Sequence, residues 1–115
     1  MEKFKVFQDG SNLFVDTDNY VFAESIARDA ATKDGKRMII QDTQRGDIVA
    51  YFIGKYEIYS NARGYSIRRK GRYNKWQYLK SLYKGNADFT ADYTYQKHYT
   101  TAKAAIKAIE KIENR

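Results

Sequence analysis

Residues 55–84 read KYEIYSNARGYSIRRKGRYNKWQYLKSLYK. Aromatic and β-branched residues are interrupted here by Asn61-Ala62-Arg63-Gly64 and by Gly71-Arg72-Tyr73-Asn74. Strand formers broken every few positions by turn formers predict short strands rather than one long helix. Tyr65 to Lys70 alternates as a strand does. Lys75 to Tyr83 fits two periods: Trp76, Leu79 and Tyr83 share a helical face, and Trp76, Tyr78 and Leu82 approximate a strand face. Its aromatic residues and flanking turns favour the strand.

The same stretch concentrates charge. It holds nine Lys/Arg against Glu57 alone, 9 − 1 = +8, while the whole chain carries 21 basic and 14 acidic residues, +7. The other 85 residues therefore sum to 7 − 8 = −1. Six of the eleven Tyr and the only Trp also fall here. Cations interleaved with flat rings suit a polyanion that offers stacking faces, which is nucleic acid.

On the N-terminal side, Phe4–Gln8 and Leu13–Asp16 flank Asp9-Gly10-Ser11-Asn12 and read as a hairpin. Asp18 or Asn19 offers a helix N-cap. From Tyr20 to Lys33, Phe22, Ala23, Ile26, Ala27 and Ala30 recur at helical spacing, with Glu24–Arg28 and Asp29–Lys33 as i,i+4 pairs. Gly35 is the expected stop. Arg37–Gln41 and Asp47–Ile53 form a second hairpin around Thr43–Gly46, with a strand continuing past Gly54 to Tyr56 and Ile58 through a bulge. On the C-terminal side, Lys84-Gly85-Asn86 closes an element. Phe89, Ala91, Tyr93, Tyr95 and Tyr99 then alternate with Thr90, Asp92, Thr94, Gln96 and His98, the clearest strand signal in the chain. Thr100 or Thr101 caps a last helix striped by Ala102, Ala105, Ile106, Ile109 and Ile112.

The expected fold is α+β: an antiparallel sheet of about five or six strands with two helices, near residues 19–34 and 101–113, packed on one face of a single domain spanning 1–115. A chain of 115 residues suits one domain. Cys is absent, which excludes disulfides and thiolate metal sites and fits a cytoplasmic setting. The longest apolar run, Ile48–Ile53, is too short to span a membrane, and Met1–Lys5 lacks an apolar signal core.

Enzymatic constellations are not met. Turn and cap duty accounts for Asp9, Asp16 and Asp18 better than a metal cluster does. Asp47 and Glu57 approach a restriction-nuclease pattern, but Tyr59 stands where its Lys belongs. His98, the only histidine, has no Cys to activate and no Ser that the sequence places beside it. No glycine-rich phosphate loop occurs. The chain is therefore expected to be non-enzymatic and to need no cofactor. The expected contact set is Arg63, Arg68, Arg69, Lys70, Arg72, Tyr73, Lys75, Trp76 and Lys80, with Tyr73 the better stacking ring and Trp76 mostly core. Arg68 and Arg69 are expected to carry no structural duty. Lys103, Lys107 and Lys111 line a second, weaker basic face.

Tyr65–Lys70, Lys75-Trp76-Gln77-Tyr78 and Tyr95–Ala105 resemble, in order, the three-stranded sheet plus helix of the AP2 and integrase amino-terminal DNA-binding families. The resemblance covers residues 65–112. It implies a sheet face in the major groove, with Arg68, Arg69, Lys70, Arg72 and Trp76 in contact. The interval between second and third strands is longer here, and Lys97-His98 replaces the usual glycine before the aromatic-Thr step. In general style, Tyr/Lys/Asn-rich and without Cys, the chain also resembles small proteins of Gram-positive phages and mobile elements, anti-CRISPR proteins among them. Two functions follow as expectations. One is a basic module that binds nucleic acid or a nucleoprotein. The other is an inhibitor that binds a CRISPR effector, a Cas nuclease, directly and blocks its DNA binding or cleavage. A homo-oligomer built through a Tyr-rich face is a third, structural possibility.

Overall fold

The computed structural model describes residues 2–113. The chain divides into two compact units, residues 1–55 and 56–115. The α+β antiparallel class expected from the sequence is found. The described residues hold eight strands rather than five or six, four to each unit, with one helix apiece.

In the first unit, β1 (Phe4–Gln8) pairs antiparallel with β2 (Phe14–Thr17) and with β3 (Met38–Asp42), and β3 pairs with β4 (Ile48–Ile53). Helix α1 (Tyr20–Lys33) starts where the Asn19 side chain accepts the Phe22 amide at 3.2 Å. Its expected surface pairs form, Glu24–Arg28 at 3.0 Å and Lys33–Asp29 at 3.8 Å. The buried stripe is Ala23, Ala27 and Ala31, and Phe22 lies 52% exposed instead of inside. Methyl side chains on successive turns let the helix approach the sheet closely, and this rotates Phe22 out. Val6, Met38, Ile40, Ala50 and Phe52 complete that core. The strand that was expected to run through Gly54 ends at Ile53. Gly54 takes φ +56°, a turn follows, and β5 starts afresh at Tyr56.

In the second unit, β5 (Tyr56–Asn61), β6 (Gly64–Lys70), β7 (Trp76–Tyr83) and β8 (Asn86–Thr90) form an antiparallel meander. The ambiguous stretch from Lys75 is thus the strand β7. Registers sort the side chains into two faces, because paired residues share a face. Ile58, Ile67, Arg69, Gln77, Leu79 and Phe89 lie on one, and Glu57, Tyr59, Ser66, Arg68, Lys70, Trp76 and Tyr78 on the other. The first face is apolar: Ile58, Ile67 and Leu79 are fully buried, as are Ala105 and Ile109 of α2 (Ala102–Glu113), which lies against β5 and β6. Burying each Ile or Leu of this set contributes about 2 kcal/mol. Thr101 caps α2 by accepting the Ala104 amide at 3.1 Å.

The alternating stretch Phe89–Tyr99 is not one strand. Strand β8 ends at Thr90, and Asp92 then accepts the Thr94 amide at 3.0 Å to start a 3₁₀ turn at Tyr93–Tyr95. Beyond the turn, residues 97–99 fill the edge of β6 that β7 leaves. Lys97 donates to the Leu79 carbonyl at 2.8 Å, and Tyr65 and Tyr99 exchange backbone hydrogen bonds of 2.8 and 2.7 Å. The phase of the alternation is also inverted. Tyr93 and Tyr95 point outward, 63% and 64% exposed, while Gln96 and His98 reach the sheet.

Gly64 is where this insertion is tightest. Its φ is +119°, and a Cβ placed on it would fall on the Tyr99 carbonyl oxygen. Gly64→Ala is therefore expected to destabilise the protein by more than about 2 kcal/mol. Gly35→Ala, at φ +66° with nothing near its Cβ, is expected to cost about 1 kcal/mol. Urea-midpoint measurements on the two variants give the comparison.

Candidate functional site

The polar face of the second unit is organised around one ion pair. Glu57 is 1% exposed, and its carboxylate accepts from the Arg68 guanidinium at 2.9 Å, across the β5–β6 register. The Arg68 guanidinium lies 4.5 Å from the Tyr59 ring centroid and 3.8 Å from that of Trp76. The Lys70 ammonium lies 4.0 Å from the Trp76 centroid, and it donates to the Asn74 carbonyl at 3.3 Å. Ring faces are electron-rich, so cation and ring attract, more strongly where water is displaced. The result is a ladder running Tyr59, Arg68, Trp76, Lys70 across three strands.

Residues 96–98 brace the same face. Tyr59 donates its hydroxyl to the Gln96 side-chain carbonyl, and burial pushes its pKa up to about 12. Contrary to the sequence expectation, a serine does stand beside His98: Ser66 Oγ is 3.2 Å from His98 Nδ1. Asn61 donates to that Oγ at 2.9 Å, so Ser66 is tied to both Asn61 and His98. Ser66 is fully buried, so the pair is a tie between segments and not an exposed nucleophile. Burial first, and Arg63 second, hold the His98 pKa below its ordinary value.

The nine residues singled out in the sequence separate into two groups. Arg68, Lys70 and Trp76 belong to the ladder. Arg69 lies on the opposite face, bonded to Gln77 at 2.9 Å and 3.7 Å above Phe89. Arg68 and Arg69 thus have intramolecular partners that the sequence did not suggest. Arg63, Arg72, Tyr73, Lys75 and Lys80 are exposed. Tyr73, 90% exposed, sits at the tip of the β6–β7 hairpin with Asn74, both at φ +59°. Two successive left-handed residues between Arg72 and Lys75 make a type I′ turn, in which Asn is at home and Tyr is strained.

Other residues join this group only in three dimensions. Tyr93 packs edge-on against Tyr78 at 6.4 Å, and the Lys80 ammonium lies 5.8 Å from Tyr95. The register bulge between Leu79 and Ser81 throws Lys80 outward. Lys75 and Lys80 lie about 17 Å apart along β7 at strand rise, and Tyr93 and Tyr95 pack beside Tyr78 and Lys80 of that strand. The signal for Tyr93 and Tyr95 was Asp92-x-Thr94, a turn pattern that ends the strand before them.

Scans of protein-family models, of curated proteins and of solved structures find no match to this chain. Among the described residues no group of three or more His, Cys, Asp or Glu converges as a metal site, and no helix is long and apolar enough to cross a membrane.

Two outcomes test this geometry. Arg68→Ala removes the 2.9 Å guanidinium contact of a buried carboxylate and is expected to cost about 3 kcal/mol in chemical unfolding, whereas Arg72→Ala is expected to change stability by less than about 0.5 kcal/mol. His98 binds its proton more readily in the unfolded chain than in the fold. Stability is therefore expected to fall as pH drops below the unfolded histidine value, about 6.5, and to level off below the folded one. His98→Gln should remove that part of the pH dependence in urea midpoints measured between neutral and mildly acid pH.

Proposed function

We propose that this protein is a non-enzymatic module that binds single-stranded nucleic acid, free or held in a nucleoprotein, along β7 and the β6–β7 hairpin tip. The observation that carries this reading is the partition of charge and exposed rings. The second unit holds thirteen basic and five acidic residues, 13 − 5 = +8, against eight and nine, −1, in the first. On that unit Tyr73, Tyr93 and Tyr95 are exposed beside Arg72, Lys75 and Lys80. Exposed rings beside cations give bases a stacking platform that a duplex, with its bases already stacked, uses less well. The ladder beneath holds Trp76 rigid, so its part is to shape the surface rather than to stack on a base.

Exposed tyrosines rimmed by cations also suit a protein interface. An inhibitor that docks on a CRISPR effector and blocks its DNA binding or cleavage would use this same surface, and it is the second reading. Fluorescence anisotropy separates the two. Labelled single-stranded DNA and RNA are expected to bind at low salt, with affinity falling linearly in log–log salt plots. Tyr93→Ala combined with Tyr95→Ala should weaken binding about tenfold or more, with far-ultraviolet circular dichroism showing the fold intact. Absence of binding to every nucleic acid at low salt would overturn the first reading. Nuclease-resistant capture of one effector protein would then favour the second.

A further inference from the structure

A groove of about 330 Å³ opens beside α2, on the face of the second unit opposite the ladder. The β7 bulge creates it. Leu79 and Leu82 both point to the helix side although three residues apart, and Leu82 becomes part of the floor with Ala104 and Ala108. Lys97, Lys107 and Lys111 form the rim. All three ammonium-bearing residues are exposed, and no acidic side chain lines the groove.

This arrangement works against the helix. Lys107 and Lys111 are like charges at i,i+4, which repel. Lys97 adds a third cation from the inserted segment, and none of the three is in an ion pair among the described residues. Three cations with no ion pair among the described residues, set around an aliphatic floor, complement an anion that carries an aliphatic group. Nucleic acid offers the anion but not the aliphatic group. The groove's one ring, Tyr99, is half-buried with the Lys97 ammonium 5.4 Å from its centroid, so no open ring face awaits a base. The floor also lacks the exposed rings found along β7.

We propose that this groove docks an acidic segment of a partner protein, one aliphatic side chain seated on Leu82, Ala104 and Ala108 while flanking carboxylates meet Lys97, Lys107 and Lys111. This is the groove mode of peptide recognition, in which a small apolar anchor gives the register and rim charges speed and select the encounter. The site is separate from the β7 surface, so one chain could hold nucleic acid and an acidic partner together.

The probe is a fluorescein-labelled synthetic peptide with a single Leu flanked on both sides by Glu and Asp, titrated into the full chain. It is expected to bind, and to bind about tenfold more weakly to the Lys107→Gln, Lys111→Gln variant. Changing its Leu to Ala should weaken it as well. Ala104→Phe fills the floor without changing charge. It is expected to weaken the peptide while leaving single-stranded oligonucleotide affinity unchanged, with far-ultraviolet circular dichroism confirming the fold. No peptide binding, or binding indifferent to both variants, overturns the proposal. So does an Ala104→Phe variant that loses oligonucleotide affinity as much as peptide affinity, since the groove would then belong to the nucleic-acid path.

Discussion

The second unit depends on the contact between Glu57 and Arg68. A carboxylate that is 1% exposed is tolerable only with its charge balanced and its oxygens bonded, and Arg68 contributes to both at 2.9 Å. The consequence reaches further than the pair. A guanidinium held at that point becomes a plate against which Tyr59 and Trp76 pack, and Trp76 in turn receives Lys70. The ion pair thus sets the register of three strands on the polar face, as Ile58, Ile67 and Leu79 do on the apolar one.

This gives the basic block two kinds of cation. Those on strand interiors are engaged by carboxylate, amide or ring and act as structure. Those on the hairpin tip and the β7 bulge, Arg72, Lys75 and Lys80, project into solvent. Charge density alone does not distinguish them, because a strand alternates its side chains between faces and a turn does not. The tip also carries strain, with Tyr73 in a left-handed conformation that suits Asn or Gly.

Much of the architecture was legible because its causes are local. Helix α1 was readable from Asn19, the Ala spacing and Gly35, and α2 from Thr101 and its apolar stripe. The hairpins at Asp9–Asn12 and Asn61–Gly64 follow from turn chemistry. The failures have equally definite causes. Gly54 resembled a bulge because a glycine serves a bulge or a turn alike. The alternation from Phe89 to Tyr99 was real but did not arise from a paired strand. It combines β8, a 3₁₀ turn begun by Asp92, and an inserted segment whose polar residues face inward. Polar residues face inward there because the sheet surface beneath is itself polar, with Ser66 and Tyr59 offering hydrogen bonds.

By itself the sequence determined the class of fold, both helices, most turns and the location of the positive charge, since propensity, periodicity and composition are properties of short stretches. Tertiary structure decided which cations are occupied and which project, because that depends on partners far apart in the chain: Glu57 for Arg68, Gln77 for Arg69, Gln96 and His98 for the face that carries Tyr59 and Ser66. It also decided that Tyr93 and Tyr95 join the surface along β7, and that a bulge at Lys80 opens an apolar groove rimmed by lysines on the other side. Strand register governs all of these, and a shift of one residue would exchange every contact for its opposite.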